Sequence, residues 1–298
     1  MTFRFVLFIL TLLVLNSCVS NKQFLQPFKI PADYKRLKMT NKLTGDSTFV
    51  YFSGENHQPT FADNKKDTIS LDYTIESVMF KSTNGNMLNG WLLKPKNQIP
   101  KITLLHFHGN AGCLFGQYQA VEPLVKKGFQ VFMFDYSGFW FSEGKAIRKN
   151  ILSDANSALD YVLNRPEVKN TKLVIYGQSF GGHLAAVVGT ERQKDIDALV
   201  LEGAFSSHKD IAASHAGFFG RTFVKEMYSA KKTIKNYKKP LLIIHSGEDK
   251  EIPFSMGQAI FKNANEPKEF YEIKKEHIMG PIFYADEISN KITQMVSK

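Results

Sequence analysis

The chain has 298 residues, of which 43% are hydrophobic and 22% are charged. This is the composition of an ordinary globular protein, so it excludes disorder, collagen-like repeats and a coiled coil. Two cysteines are too few for a disulfide-rich scaffold or a four-cysteine zinc site. The net charge of +10 favours an acidic partner, such as nucleic acid, an anionic membrane or an acidic substrate.

The first eighteen residues read MTFRFVLFILTLLVLNSC and are typical of an export signal. Arg4 supplies a positive start. The apolar run Phe5–Leu15 is shorter than the roughly 20 residues that a membrane-spanning helix needs. The run ends in LNSC at 15–18, which resembles the lipobox of bacterial lipoproteins. That resemblance implies a signal peptide over residues 1–17, cleavage after Ser17 and an acylated Cys18.

An acylated Cys18 would hold the protein on a membrane without a spanning helix, because several acyl chains together give stable anchoring. Val19 follows, instead of the aspartate that marks inner-membrane retention in some Gram-negative species. We therefore expect the protein to lie in the bacterial cell envelope, anchored to the outer membrane and facing the periplasm. A buried helix or strand is the alternative for residues 1–18. If Cys18 carries lipid, Cys113 is the only free thiol, and we interpret it as a small packing residue.

Residues 18–46 are polar and rich in lysine and asparagine, which indicates a tether and an N-terminal arm. From residue 47 to 298, strands alternate with helices and predict one α/β domain, with a mostly parallel sheet and helices on both faces. Such sheets bind ligands at the carboxyl ends of their strands. The predicted strands are 48–52, 73–80, 87–93, 102–106, 129–134, 173–176, 198–201, 241–244 and 269–273.

The segment GQSFG at 177–181 matches G-x-S-x-G between a predicted strand and a predicted helix. This setting is typical of a nucleophile elbow, in which glycines leave room for a sharp turn around the serine. A serine hydroxyl is a weak nucleophile and needs a base that an acid orients. The pattern therefore predicts Ser179 as the nucleophile. A tight turn with a helix-capping serine is the alternative.

The acid and the base follow the nucleophile along the chain when a serine stands on such an elbow. Asp249 and His277 come after the last two predicted strands, at the same sheet edge as Ser179. We predict Asp249 as the acid and His277 as the base, with Glu248 as the alternative acid. The alternative bases, which do not follow the last strand, are His183, His208, His215 and His245.

The segment HFHGN at 106–110 ends the strand before the first crossover helix. Such a loop supplies a backbone N–H to the oxyanion, so we predict the amides of Asn110 and Phe180 as donors. One donor typically contributes about 2.7–4 kcal/mol to transition-state stabilisation. A metal site at His106 and His108 is the alternative, but no carboxylate or third histidine is suitably spaced. We expect neither a metal nor a cofactor.

These segments together resemble an α/β-hydrolase of the Bem46-like branch, which includes membrane-associated depalmitoylases and monoacylglycerol or lysophospholipid lipases. The matching segments are HFHGNAG (106–112), FDYSGFWFSEGKA (134–146), YGQSFGGH (176–183), LEGAFSS (201–207) and HSGEDKEIPF (245–254), with the late His277. The resemblance implies an α/β-hydrolase fold with Ser179, Asp249 and His277 as a catalytic triad.

Two positions depart from that family. Trp140 stands where the family usually has glycine, so its loop takes another backbone conformation or points the indole into the pocket. His277 follows Glu276, whereas the family's base commonly follows glycine.

Residues 206–239 form an insertion between two core strands, which we expect to cover the nucleophile as a lid. Trp140, Phe141 and Phe205 are expected to line an acyl pocket with apolar lid residues. The alternative is that each of these aromatics packs in the hydrophobic core. The second half of the lid is rich in lysine. These lysines are expected either to contact anionic lipid headgroups or to form a solvated helix face. Nucleic acid is disfavoured because no nucleic-acid-binding motif is present.

The sequence therefore predicts a lipid-anchored serine hydrolase that cleaves small-molecule carboxylic esters or thioesters through an acyl-enzyme. A serine peptidase of the same fold and a catalytically inactive binding lipoprotein are the alternatives. Nothing in the sequence indicates an oligomeric state.

Overall fold

The computed structural model of the protein describes residues 24–29, 36–40, 45 and 47–297. An eight-stranded sheet with helices on both faces forms its centre, which confirms the predicted α/β-hydrolase fold class. The expected signal peptide and Cys18 lie outside the described residues. Within the described part of the chain, no helix is both long and apolar enough to cross a bilayer.

The strands in chain order are β1 (Gln26–Pro27), β2 (Arg36–Thr40), β3 (Ser47–Ser53), β4 (Gln58–Ala62), β5 (Tyr73–Lys81), β6 (Met87–Pro95), β7 (Ile102–Phe107), β8 (Ala111–Gly112), β9 (Gln130–Phe134), β10 (Lys172–Gln178), β11 (Ala198–Glu202), β12 (Leu241–Ser246) and β13 (Lys268–Ile273). The helices are α1 (Leu114–Gln117), α2 (Glu122–Lys126), α3 (Arg148–Leu163), α4 (Phe180–Glu191), α5 (His208–Phe223), α6 (Ala230–Thr233), α7 (Phe254–Asn263), α8 (Gly280–Phe283) and α9 (Ala285–Val296).

The central sheet has the strand order β13-β12-β11-β10-β7-β9-β6-β5. Neighbouring strands from β9 to β13 are parallel, whereas β6 runs antiparallel to both β9 and β5. Parallel strands point their carboxyl ends the same way. The loops after β7, β10, β11, β12 and β13 therefore meet at one edge of the sheet.

The sheet is covered on both faces, and its strands accordingly read as continuous apolar runs. In β12, Leu241 and Ile243 pack into the hydrophobic cluster that includes residues of α3, α4 and α7. Leu242 and Ile244, which point the other way, pack with residues of α2 and α9. Because both faces are closed, the carboxyl edge is where the sheet offers room for a ligand.

Two smaller sheets lie outside the central one. Strand β1 pairs in parallel with β8, and β2, β3 and β4 form an antiparallel sheet. Strands β1 and β2 belong to the segment for which the sequence indicates a tether and an N-terminal arm. A two-residue strand such as β1 is too short to show the alternation by which a strand is recognised in a sequence.

Gly181 lies where α4 crosses β7, and a Cβ there would overlap the main-chain carbonyl oxygen of Phe107. That carbonyl belongs to a buried strand and cannot move aside. We expect Gly181→Ala to lower the free energy of unfolding, measured by urea denaturation, by about 1–3 kcal/mol or more.

Gly116→Ala in α1 is the matched control, because a Cβ on Gly116 meets no atom within 4 Å. It should be neutral or stabilise the protein by up to about 1 kcal/mol. Equal losses of stability in the two variants would contradict the expected overlap.

Candidate active site

Ser179 stands at the turn between β10 and α4, with φ of 56° and ψ of −119°. A non-glycine residue in such a conformation costs on the order of 1–3 kcal/mol. A hydrogen bond of 2.8 Å from the Ser179 N–H to the Glu202 carbonyl holds the turn. The neighbouring Gly177 is also required, since a Cβ there would overlap the Gly181 carbonyl. The turn brings Ser179 to the carboxyl edge of the sheet.

The predicted acid and base are in direct contact. His277 Nδ1 donates to Asp249 Oδ2 at 2.6 Å, and Asp249 Oδ1 accepts the N–H groups of Glu251 and Ile252 at 2.9 Å. Burial alone would raise the pKa of Asp249, but these hydrogen bonds, His277 first, lower it below its usual value. An ionised Asp249 keeps the hydrogen on Nδ1, so that Nε2 of His277 can accept a proton. The alternative acid, Glu248, is exposed.

Ser179 and His277 line one cavity of about 660 Å³. That volume lies within the usual range for small-molecule sites. Gly203 lies next to the base, since a Cβ there would come 3.0 Å from His277 Cε1. The larger apolar side chains of the cavity wall are Phe24, Phe180, Phe205, Ile211, Phe219, Phe223, Val224 and Ile252.

Asn110 and Phe180, the predicted oxyanion donors, also line this cavity. Phe180 is the first residue of α4, so its N–H has no acceptor within the helix. The Asn110 N–H shares a peptide plane with the Gly109 carbonyl, which accepts a 2.8 Å hydrogen bond from His108 Nδ1. Because a trans peptide points its C=O and N–H in opposite directions, this bond aims the Asn110 N–H away from His108.

Three predicted pocket aromatics have different positions. Phe205 lines the cavity, whereas Trp140 and Phe141 do not. The Trp140 ring packs instead against Phe52 at 5.0 Å and Phe115 at 5.4 Å. Its φ of 33° lies in the left-handed region that favours glycine. The loop therefore keeps a glycine-like backbone, and the indole turns toward Phe52 of β3, a contact that the sequence did not indicate.

None of the alternative bases combines a hydrogen bond to Asp249 with a place in the cavity wall, as His277 does. His183, His208 and His245 are buried, and each imidazole is within hydrogen-bond distance of a main-chain carbonyl. His215 is exposed on α5 at the cavity.

The residues of the alternative metal site are buried as neutral imidazoles. Burial lowers the pKa of His106 to about 4 and that of His108 to about 3. His106 Nε2 lies 3.0 Å from the Gln178 side-chain oxygen. Among the described residues, no group of three histidine, cysteine or acidic side chains is arranged to hold a metal ion. Cys113 is also buried, which raises the pKa of its thiol and disfavours the thiolate.

The lid insertion contributes α5, which is kinked at Ala216 and Gly217. Beyond the kink, Phe218, Phe219 and Phe223 are 76%, 69% and 59% exposed. Phe219 and Phe223 also line the cavity. The second half of the insertion leads away from the carboxyl edge of the sheet. It ends just before Leu241, the first residue of β12, which lies at the opposite edge.

Two cavity residues lie in the segment interpreted as a tether and arm. Phe24 and Gln26 line the cavity together with Ser179. The sequence signal for this position is the apolar pair Phe24-Leu25 within a stretch rich in lysine and asparagine.

Glu202 connects the elbow to the loop that carries the base. Its buried carboxylate accepts the Tyr176 hydroxyl at 2.6 Å, and the Gln178 amide and the Gly280 N–H at 2.7 Å. Burial raises the pKa of Glu202, and the three donors oppose that shift. Gln178 precedes Ser179, and Gly280 follows His277 by three residues. One carboxylate thus links the segments that carry the predicted nucleophile and the predicted base.

We expect Glu202→Gln to lower the free energy of unfolding by about 1–3 kcal/mol. The new glutamine NH₂ is a donor, and it would replace a carboxylate oxygen that accepts one of these hydrogen bonds, leaving two donors facing each other. Chemical denaturation measures the change. The exposed Glu276, in the same loop as His277, gives the control variant Glu276→Gln, which should unfold like the wild type. A wild-type midpoint for Glu202→Gln would show that the carboxylate is dispensable.

Similar proteins were found by sequence and by structure. Residues 98–225 match the family described as "Serine aminopeptidase, S33". The chain is 35% identical to the YfhR protein of Escherichia coli O157:H7 over 213 residues, which cover 69% of this chain and 74% of that protein. It is 32% identical to the bem46 protein of Schizosaccharomyces pombe over 165 residues, which cover 54% and 55%.

Among solved structures, the esterase Pf2001 of Pyrococcus furiosus has a TM-score of 0.61 at 18% identity. The alignment covers 76% of this chain and 92% of that one. This likeness is one of fold.

Proposed function

This chain belongs to the Bem46-like α/β-hydrolases and is a serine hydrolase, and we propose that it cleaves small acyl esters or thioesters through an acyl-enzyme. One observation carries the proposal: the Asp249–His277 hydrogen bond lies beside the cavity that Ser179 and His277 both line. We assign these three residues as the catalytic triad.

In the proposed reaction, Ser179 Oγ attacks the substrate carbonyl while His277 Nε2 takes the hydroxyl proton. Asp249 keeps the imidazole oriented and stabilises its charged form. The amides of Asn110 and Phe180 stabilise the oxyanion. His277 then returns the proton to the departing alcohol or thiol, and an acyl-enzyme remains. Water attacks that ester with the same base, releasing the acid and restoring Ser179.

The character of the cavity supports an acyl substrate. Its wall is mostly apolar, and Glu251 is the one acidic side chain among the described residues that line it. An acyl chain gains about 0.8 kcal/mol for each methylene that it buries on such a wall. The alternative is an aminopeptidase, which the family matched by residues 98–225 favours, with Glu251 receiving the substrate's amino group.

We expect Ser179→Ala to lose at least about 10⁴-fold in p-nitrophenyl butyrate hydrolysis and to lose labelling by a fluorophosphonate probe. Asp249→Asn should lose about 10⁴-fold, because His277 would no longer hold the productive tautomer. Glu248→Gln is the control and should retain wild-type activity. Labelling that persists in Ser179→Ala would refute the nucleophile assignment.

The same assay separates the two substrate classes. A wild-type enzyme that cleaves aminoacyl p-nitroanilides but no p-nitrophenyl ester or acyl thioester is a peptidase. Failure on all three substrates by a folded protein would indicate a binding lipoprotein instead.

We also propose that Cys18 is acylated and that the enzyme works at the outer membrane, facing the periplasm. The apolar run Phe5–Leu15 and the lipobox-like LNSC at 15–18 support this proposal. The exposed rings of Phe218, Phe219 and Phe223 support the membrane part of this proposal, because exposed apolar patches mark surfaces that contact a partner or a membrane.

Metabolic labelling with an alkyne fatty acid tests the anchor in a bacterium that processes lipoproteins. The wild type and Cys113→Ser should incorporate the label, and Cys18→Ser should not, because Cys18 and Cys113 are the only two cysteines. Label retained by Cys18→Ser would refute acylation at this position.

A further inference from the structure

A short stretch near the amino terminus is joined to the loops around the active site. Residues 24–27, here called the docked arm, include β1, which pairs with Ala111 and Gly112 in β8. The Gln26 N–H donates to the Asn110 carbonyl at 2.8 Å. Leu25 is buried in the core. The docked arm is therefore held by the main chain and by packing.

The hydrogen bond from Gln26 completes the positioning of Asn110. The carbonyl of the preceding peptide, that of Gly109, accepts from His108, and the carbonyl of the following peptide accepts from Gln26. These two bonds hold the peptide planes on both sides of the Asn110 Cα. Fixing both planes restricts the φ and ψ of Asn110 and hence the direction of its N–H.

The side chain of Phe24 forms part of the cavity wall. Its ring contacts Phe205 with a centroid separation of 6.5 Å and His208 with one of 5.0 Å. The Arg148 guanidinium lies 5.3 Å from the same ring. Phe24 is therefore partly buried among these groups, with its side chain at the wall of the cavity.

We propose that the docked arm is a working part of the active site. Gln26 is a positioning residue, which acts through its backbone N–H on the Asn110 oxyanion donor. Phe24 is a specificity-determining residue, which limits the length of the acyl group. This inference rests on the proposed hydrolase function and adds to it an element from outside the hydrolase core.

An acyl-length series of p-nitrophenyl esters, from acetate to laurate, tests Phe24 with the full chain. We expect Phe24→Ala to raise kcat/KM for the longest esters relative to acetate by about 10-fold, as removing one pocket group typically does. Phe24→Trp should shift the preference toward shorter chains. The control is Ile99→Ala, which removes an apolar side chain that is 91% exposed before the amino end of β7 and should keep the wild-type profile.

Gln26→Pro removes the N–H that the Asn110 carbonyl accepts, together with the Gln26 side chain, whereas Gln26→Ala removes the side chain and retains the N–H. We expect the proline variant to lose at least about 10-fold in kcat with little change in KM, since the lost group acts on the transition state. The alanine variant should recover most of that kcat. Equal kcat values in the two variants would overturn the positioning role.

The wild type and Ser179→Ala are measured in parallel, so that two failures stay distinct. A wild type that cleaves no ester refutes the proposed function. An active wild type whose length profile is unchanged by both Phe24 variants refutes the specificity role. If Gln26→Pro does not fold, judged by its thermal midpoint, the Phe24 series alone decides whether the docked arm shapes the site.

Discussion

The left-handed turn at Ser179 is the constraint on which the rest of the site depends. Its φ of 56° is unfavourable for serine. The turn is kept by the close approach of Gly177 to the Gly181 carbonyl and by a hydrogen bond from the Ser179 N–H to the Glu202 carbonyl. The same turn places Ser179 in the cavity wall at the sheet edge and begins α4, so the Phe180 N–H has no acceptor within the helix. The proposed nucleophile and one proposed oxyanion donor thus come from one strained turn.

Buried polar groups then link this turn to the other loops of the edge. Glu202 accepts hydrogen bonds from the segments that precede Ser179 and follow His277. Asp249 accepts hydrogen bonds from His277 and from two main-chain amides. A buried carboxylate is tolerated only when its hydrogen bonds are satisfied, so each one restricts several loops together. The chemistry of the site is accordingly held by the sheet and its immediate loops. The cavity wall comes in large part from elsewhere, namely the kinked helix α5 and the docked arm.

Several features of this protein followed from local patterns. Alternating strands and helices predicted the sheet, and the G-x-S-x-G turn between a strand and a helix predicted the elbow at Ser179. Asp249 and His277 could be proposed because each follows a buried strand, and parallel strands bring such positions to one edge. The position of Trp140 could not be predicted in this way. Its backbone kept the glycine-like conformation, but the direction of its indole depends on Phe52, which is far away in sequence.

The sequence by itself therefore determined the fold class and the candidate catalytic residues, because periodicity and turn chemistry are encoded within a few neighbouring positions. Only the tertiary structure decided which side chains line the cavity. Phe205 lines the cavity, whereas Trp140 and Phe141 do not. Phe24 and Gln26 also line it, although they belong to the segment for which the sequence indicates a tether. Those choices depend on contacts between segments more than 80 residues apart along the chain, such as the bond from Gln26 to Asn110, and no local pattern carries that information.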